Sequence, residues 1–237
     1  SGVVAFSGIG VSQGSGIASL GLTLDSVLRS FSDPAMIPDS PKMEGATLHY
    51  IPAFFKAGEE QDLFQQLQDQ LHWSQGQIRL FGKEHMIPRL EAWHGDPEAR
   101  YGYSGTDLEP EPWTPALQLI RSRLIGLSHD LSFNSVLGNW YRDGEDAMGW
   151  HSDDEKELGP KPCIASLSFG SGRDIRFRHR TRKDLDPVML HLEAGSLLLM
   201  EGLTQENWQH AIPRRRGRNA PGGRINLTFR TIRFPRS

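Results

Sequence analysis

From Phe133 onward the apolar residues of this chain recur at every second position, whereas upstream they recur at every third or fourth. The segments "CIASLSFG" (Cys163–Gly170), "DIRFRHR" (Asp174–Arg180), "VMLHLEAGSLLLM" (Val188–Met200) and "RINLTFRTIRF" (Arg224–Phe234) alternate or run apolar over strand lengths. Turn residues separate them at Gly170 to Gly172, at Asp186-Pro187 and at Pro221 to Gly223. Upstream, Leu63, Phe64, Leu67 and Leu71 make one helical stripe, and Leu117, Ile120, Leu124, Leu127 and Leu131 another. Thr114 before Pro115 reads as the N-cap and first residue of the second helix. Helices followed by strands predict an α+β protein whose C-terminal half is a compact β-sandwich or jelly roll.

The 237 residues, 37% hydrophobic and 23% charged, suit one globular domain with a sizeable core. The longest apolar run, "GSLLLMEG", is strand-sized, so no membrane span is expected. The Gly- and Ser-rich start lacks a basic n-region, and residues 1–45 are read as a flexible arm on a single domain, 46–237. Cys163 is the only cysteine, which excludes an internal disulfide and a thiolate zinc cluster. It fits a reducing compartment, cytosol or nucleus, rather than secretion. The expected assembly is a monomer.

The net charge of −3 conceals a division between the two ends of the chain. From Arg173 to Ser237 there are 14 Lys and Arg against 6 Asp and Glu, a surplus of +8 that leaves −11 on the first 172 residues. The basic third is densest at "RFRHRTRK" (Arg176–Lys183) and "RRRGR" (Arg214–Arg218). It suits a polyanionic partner, or is solubilising surface.

"GWHSDDEKELGP" (Gly149–Pro160) sets His151 among Asp153, Asp154, Glu155 and Glu157. Such a run is usually a solvated loop. A His and an Asp one residue apart in an extended segment nevertheless point the same way and can hold one ion together. His210, in "QENWQHAIPRR", supplies a third donor 57 residues after Asp153. Two histidines and one carboxylate leave positions open on Fe(II), as chemistry with O2 requires. Alternation turns Asp154 to the other face, so Asp153 is the expected ligand. On the last strand Arg224, Asn226, Thr228 and Arg230 share one face, and Ile225, Leu227 and Phe229 share the other. Two arginines facing a cavity need an anion there. Their Cα atoms, roughly 20 Å apart along the strand, leave a gap suited to a short dicarboxylate; a solvent-facing row is the alternative.

The "HSD" with its distal histidine and "RINLTFR" resemble the signature of the AlkB family of Fe(II)- and 2-oxoglutarate-dependent dioxygenases. "WHSDDE", "IASLSFG", "MEGLTQENWQH", "FGK" and "PRLEAWHGD" resemble segments of the mammalian members that repair DNA, over a span from Gln77 to Arg233. The resemblance implies a double-stranded β-helix (jelly-roll) core with N-terminal helices and a nucleotide-recognition lid over about residues 75–112. It implies Fe(II) on His151, Asp153 and His210, with 2-oxoglutarate and O2 as co-reactants. The 2-oxoglutarate contacts carry over to Asn139, Tyr141, Arg224, Asn226, Thr228 and Arg230, with Arg224 at the distal carboxylate and Arg230 toward the metal.

The activity so implied is oxidative demethylation of 1-methyladenine and 3-methylcytosine in DNA, with RNA as the alternative nucleic acid. Asp154 is the expected carboxylate for the cationic base. Tyr103 and the His151 ring would sandwich that base, with Tyr101 at its edge. Phe81 of "LFGK", followed by Gly82 and Lys83, would wedge into the vacated stack. A hydroxylase acting on RNA or protein, a zinc-holding jelly-roll module and a silent nucleic-acid binder are the rival readings. The two arginines of the last strand disfavour the module, and the complete triad disfavours the silent binder.

Overall fold

The computed structural model describes residues 41–80, 83–99, 101–103, 106–128 and 131–233, and for 78–80, 83, 101–103 and 106–108 the backbone alone. Strand β1 (Thr47–Ile51) and helix α1 (Ala57–Gln70) lead into β2 (Gln77–Leu80), β3 (Lys83–Met86), β4 (Leu90–Gly95), β5 (Tyr101–Tyr103) and β6 (Thr106–Leu108). After α2 (Pro115–Ile125) come β7 (Ser135–Tyr141), β8 (Met148–His151), β9 (Ile164–Gly170) and β10 (Arg173–His179). The chain continues through β11 (Val188–Leu192), β12 (Leu197–Glu201), the short α3 (Thr204–Asn207), β13 (Trp208–Ile212) and β14 (Arg224–Arg230).

Six strands make a larger sheet in the order β1-β12-β9-β14-β7-β4, and four make a smaller one in the order β11-β10-β13-β8. All pairings in both are antiparallel. These two facing sheets are the jelly roll that the alternation required. The lid segment is more divided than expected. Hairpins β2-β3 and β5-β6 stand apart, but β4 between them is an edge strand of the larger sheet.

The first helix forms where its stripe placed it, but α2 ends at Ile125, so Leu127 and Leu131 of the second stripe lie beyond the helix. Leu63, Leu67 and Leu71, then Leu117, Ile120, Leu124, Leu127 and Leu131, are buried. The Thr114 side chain accepts the Leu117 N–H at 3.4 Å, satisfying one of the donors that a helix start leaves open. The helices cover the outer face of the larger sheet, against Leu167, Phe169, Ile225, Leu227 and Phe229. Truncating such a fully buried leucine, Leu227→Ala for instance, costs about 2–5 kcal/mol. Helix α1 is also pinned to the sheet by a buried carboxylate. Glu60 accepts the N–H of Gly170 at 2.6 Å, and burial raises its pKa against the opposing pull of that bond. Gly170 adopts φ +81°, and a Cβ there would come within 2.5 Å of the Gly223 carbonyl, so the turn that ends β9 needs glycine.

Between the sheets lies a second core of Tyr50, Ile164, Ile175, Phe177, Leu198, Met200 and Trp208. It leaves the inner face of β14 polar, with Arg224, Asn226, Thr228 and Arg230. Residues 1–40 of the expected arm lie outside the described residues. Residues 43–45 are held to the domain: Met43 is buried, the Glu44 carbonyl accepts from Trp208 Nε1 and the Gly45 carbonyl accepts from Asn207 Nδ2. No described helix is long and apolar enough to cross a membrane.

Candidate active site

His151 ends β8 and faces His210 of the neighbouring β13 in direct register, with the pairing irregular just beyond. Their rings lie 4.2 Å apart. Asp153 follows β8, and its backbone N–H is held by Gln205 Oε1 at 2.9 Å while Ser152 Oγ donates to the Trp208 carbonyl. His151, Asp153 and His210 thereby offer three ligand atoms all within 4.8 Å of one another. His151 Nδ1 sits 2.8 Å from the Gly149 carbonyl, which can only accept, so Nδ1 is the donor there and Nε2 is the ring nitrogen not used in that bond. Burial, with His151 next, pushes His210 down to about 4 against the pull of Asp153. Its imidazole is neutral near pH 7, the form that binds metal. Burial alone would raise Asp153, but Arg230 and the two imidazoles outweigh it and hold the carboxyl below its ordinary range. Two imidazoles and one carboxylate are the donor set for a divalent ion such as Fe(II).

Behind this trio, a cavity between the sheets is lined by Asn139, Tyr141, Arg224, Asn226, Thr228 and Arg230, the whole polar set expected there. Alternation produces it, since Ile225, Leu227 and Phe229 turn to the helices. Asn226 Nδ2 donates to Ser166 Oγ and the Leu167 carbonyl at 2.9 and 2.8 Å, and its Oδ1 accepts from Thr228 at 3.3 Å. Arg224 is 1% exposed and donates from Nη2 to Ser168 Oγ at 2.9 Å. Its Nε and Nη1 are buried with no acceptor among the described residues. Burial lowers its pKa to about 10 against the opposing pull of Tyr141, over whose ring it lies at 5.4 Å. A buried guanidinium with donors to spare fits a carboxylate, and so fits the distal end of 2-oxoglutarate. Arg230, at the other end of the polar face, forms an ion pair with Asp153 and reaches Glu155 at 3.4 Å.

A second chamber, of about 630 Å³, shares Arg230 with this cavity. Trp93 and Leu137 supply apolar walls, while Glu91, Glu109, Glu111 and Glu155 make it acidic. Trp93 is locked by an indole N–H···Oγ bond to Ser135 at 2.8 Å. Asp154, the carboxylate expected for a cationic base, pairs with Arg180 at 2.5 Å and is not among the lining residues. The residue lining the chamber is its neighbour Glu155, whose Oε2 is buried without a partner among the described residues. Phe81 and Gly82 lie outside the described residues, and for Lys83 in β3 and Tyr101 and Tyr103 in β5 the backbone alone is described. Arg215 and Arg216 of the basic loop are engaged by Asp174 and Glu145.

Comparison with known proteins agrees with this geometry. A family model for the 2OG-Fe(II) oxygenase superfamily matches residues 47–230, reaching thirty residues further upstream than the motif resemblance and taking in β1 and α1. The mouse protein named DNA oxidative demethylase ALKBH2 is 41% identical over 200 residues, covering 81% of this chain and 82% of the relative. Mouse alpha-ketoglutarate-dependent dioxygenase alkB homolog 3 is 40% identical over 190 residues, covering 76% of this chain and 64% of the relative. A solved structure, "The structure of OsALKBH1", superposes with a TM-score of 0.58 at 18% identity, covers 80% of this chain and 99% of its own, and supports the fold. With a matching donor trio, a carboxylate-seeking arginine and a family match over most of its length, the chain belongs to the 2OG-Fe(II) oxygenase superfamily.

Proposed function

We propose that this chain is an oxidative demethylase that repairs N-alkylated bases of the 1-methyladenine and 3-methylcytosine type in DNA. The observation that carries the reading is the acidic chamber beside the trio, above all Glu155 with one oxygen on Arg230 and the other without a partner among the described residues. N-methylation at these positions makes the base cationic and blocks pairing. An acidic aromatic-walled chamber favours that cation, and the lost pairing lowers the cost of flipping it out. Relatives about 40% identical are named for DNA oxidative demethylation, which supports the same substrate class.

In this reading His151, Asp153 and His210 hold Fe(II), and Arg224, with Asn139, Tyr141, Asn226 and Thr228, holds 2-oxoglutarate. When bound, iron and 2-oxoglutarate supply the activation of O2 that places one oxygen atom on the alkyl carbon and the other in succinate. Arg230 keeps Asp153 charged and oriented as a ligand. Trp93 and Leu137 shield the base from water, and Glu155 holds its positive charge. The hydroxymethyl group on the base nitrogen then departs as formaldehyde, and its hydroxyl proton is released to solvent as the base becomes neutral.

Formaldehyde and succinate should be counted with 1-methyladenine in single-stranded DNA, duplex DNA and RNA of one sequence. Equal amounts of both products from DNA are expected. Products from RNA alone would move the substrate to RNA, and succinate without formaldehyde from all three would overturn demethylation.

A further inference from the structure

Arg89 stands just ahead of β4, on the face that carries Glu91 and, across the pairing, Asn139 and Tyr141. Its side chain is 11% exposed, and all three nitrogens are bonded. Nε donates to Asn139 Oδ1 at 2.7 Å, Nη2 to Glu91 Oε1 at 2.6 Å and Nη1 to the Ala147 carbonyl at 3.5 Å. The backbone reinforces the placement, because the Ala147 N–H donates to the Pro88 carbonyl at 2.9 Å.

A guanidinium can only donate, so the Asn139 atom facing it must be the carboxamide oxygen. The Asn139 NH2 group is thereby directed away from Arg89, while Asn139 lines the cavity. Without Arg89 the amide could turn over and present an oxygen, which would repel a carboxylate where a donor should bind it. We propose that Arg89 is a positioning residue: it fixes the Asn139 amide as a donor toward 2-oxoglutarate and is itself held by Glu91 of the neighbouring chamber. The inference rests on the cosubstrate reading of the cavity.

Three substitutions separate orientation from charge. In Arg89→Gln the amide nitrogen occupies the position of the arginine Nε and keeps that donor without the charge. Lysine keeps the charge but has a methylene there, and methionine has neither. 2-Oxoglutarate affinity of the Mn(II)-loaded protein is measured by calorimetry, with single-stranded oligonucleotide affinity measured alongside. Arg89→Met and Arg89→Lys should each weaken 2-oxoglutarate by about ten-fold, the usual cost of one buried hydrogen bond, while Arg89→Gln stays within about three-fold of wild type. In an Asn139→Ala background Arg89→Met should add less than about two-fold, because it acts through the lost amide. Oligonucleotide affinity should hold within about two-fold throughout.

Rescue by lysine instead of glutamine would overturn the proposal in favour of a field effect. Additive losses, or an oligonucleotide defect with 2-oxoglutarate binding intact, would also overturn it. If Arg89→Met does not fold, the glutamine and lysine pair decides alone. Arg224→Met is the control for the cavity itself. Full binding in that variant sinks the cosubstrate reading, whereas its loss beside normal Arg89 variants sinks the positioning role only.

Discussion

Arg230 of β14 forms an ion pair with Asp153, so the strand whose polar face lines the cavity behind the candidate metal trio also grips the carboxylate of that trio. Both members are nearly buried, with side chains 14% and 3% exposed. Removing the arginine leaves a buried carboxylate without its main countercharge.

Arg230→Met should therefore lower affinity for a divalent ion by about 10- to 100-fold, the range for losing a group that orients a ligand. Calorimetric titration with Mn(II) in the absence of 2-oxoglutarate checks this. Wild-type affinity would mean that the pair does not serve the metal.

For Arg224→Met two effects should move in opposite directions. The variant loses the distal carboxylate's partner, so the 2-oxoglutarate requirement should rise by about 100-fold. It also removes a buried guanidinium with two unbonded nitrogens, so the melting temperature should hold or rise. Steady-state kinetics and thermal unfolding of one preparation test both.

Glu155→Gln keeps an acceptor for Arg230 and removes the charge. Turnover of a cationic N-methyl base should fall by about ten-fold relative to a neutral N-methyl base, since the selectivity rests on charge. Competition between the two lesions in a single tube measures that ratio directly. An unchanged ratio, together with a changed one for Asp154→Asn, would restore Asp154 to the role expected of it.

Cys163 should be inert. Burial, with Glu201 adding to it, pushes the thiol up to about 12, so little thiolate exists at pH 8. A disulfide reagent should label it in unfolding concentrations of guanidinium at least about 100-fold faster than in the native protein, as read from thiol-release absorbance.

Much of this arrangement could be read from spacing. The two helix stripes, the Thr114 cap and the split of β14 into apolar and polar faces depend on residues near one another in the chain, where periodicity speaks directly. The pairing of His151 with Asp153 was legible from their closeness in sequence, although Asp153 lies past the end of β8. The place of Glu155 in the chamber lining was hidden because β8 ends at His151, and strict alternation has no authority past the last paired residue. Arg89 was hidden for another reason. Its acceptor on Asn139 lies 50 residues away and is reached only because β4 joins the larger sheet, whereas "PRLEAWHGD" falls in the stretch taken as a lid. The partner of Arg230 is likewise 77 residues distant.

The placement of β8 bears on how the protein tolerates loss of its metal. As an edge of the smaller sheet it has one neighbour, β13, whereas β13 is flanked on both sides. Two members of the trio, His151 and Asp153, thus stand on or just past a strand with little backbone support, and the third, His210, on one that is well secured. An ion held by all three side chains would clasp the looser strand to its neighbour. Chelation should let amides 148–153 exchange with solvent faster while those around His210 and the β14 centre stay protected, so the metal-free chain remains folded with one edge undone.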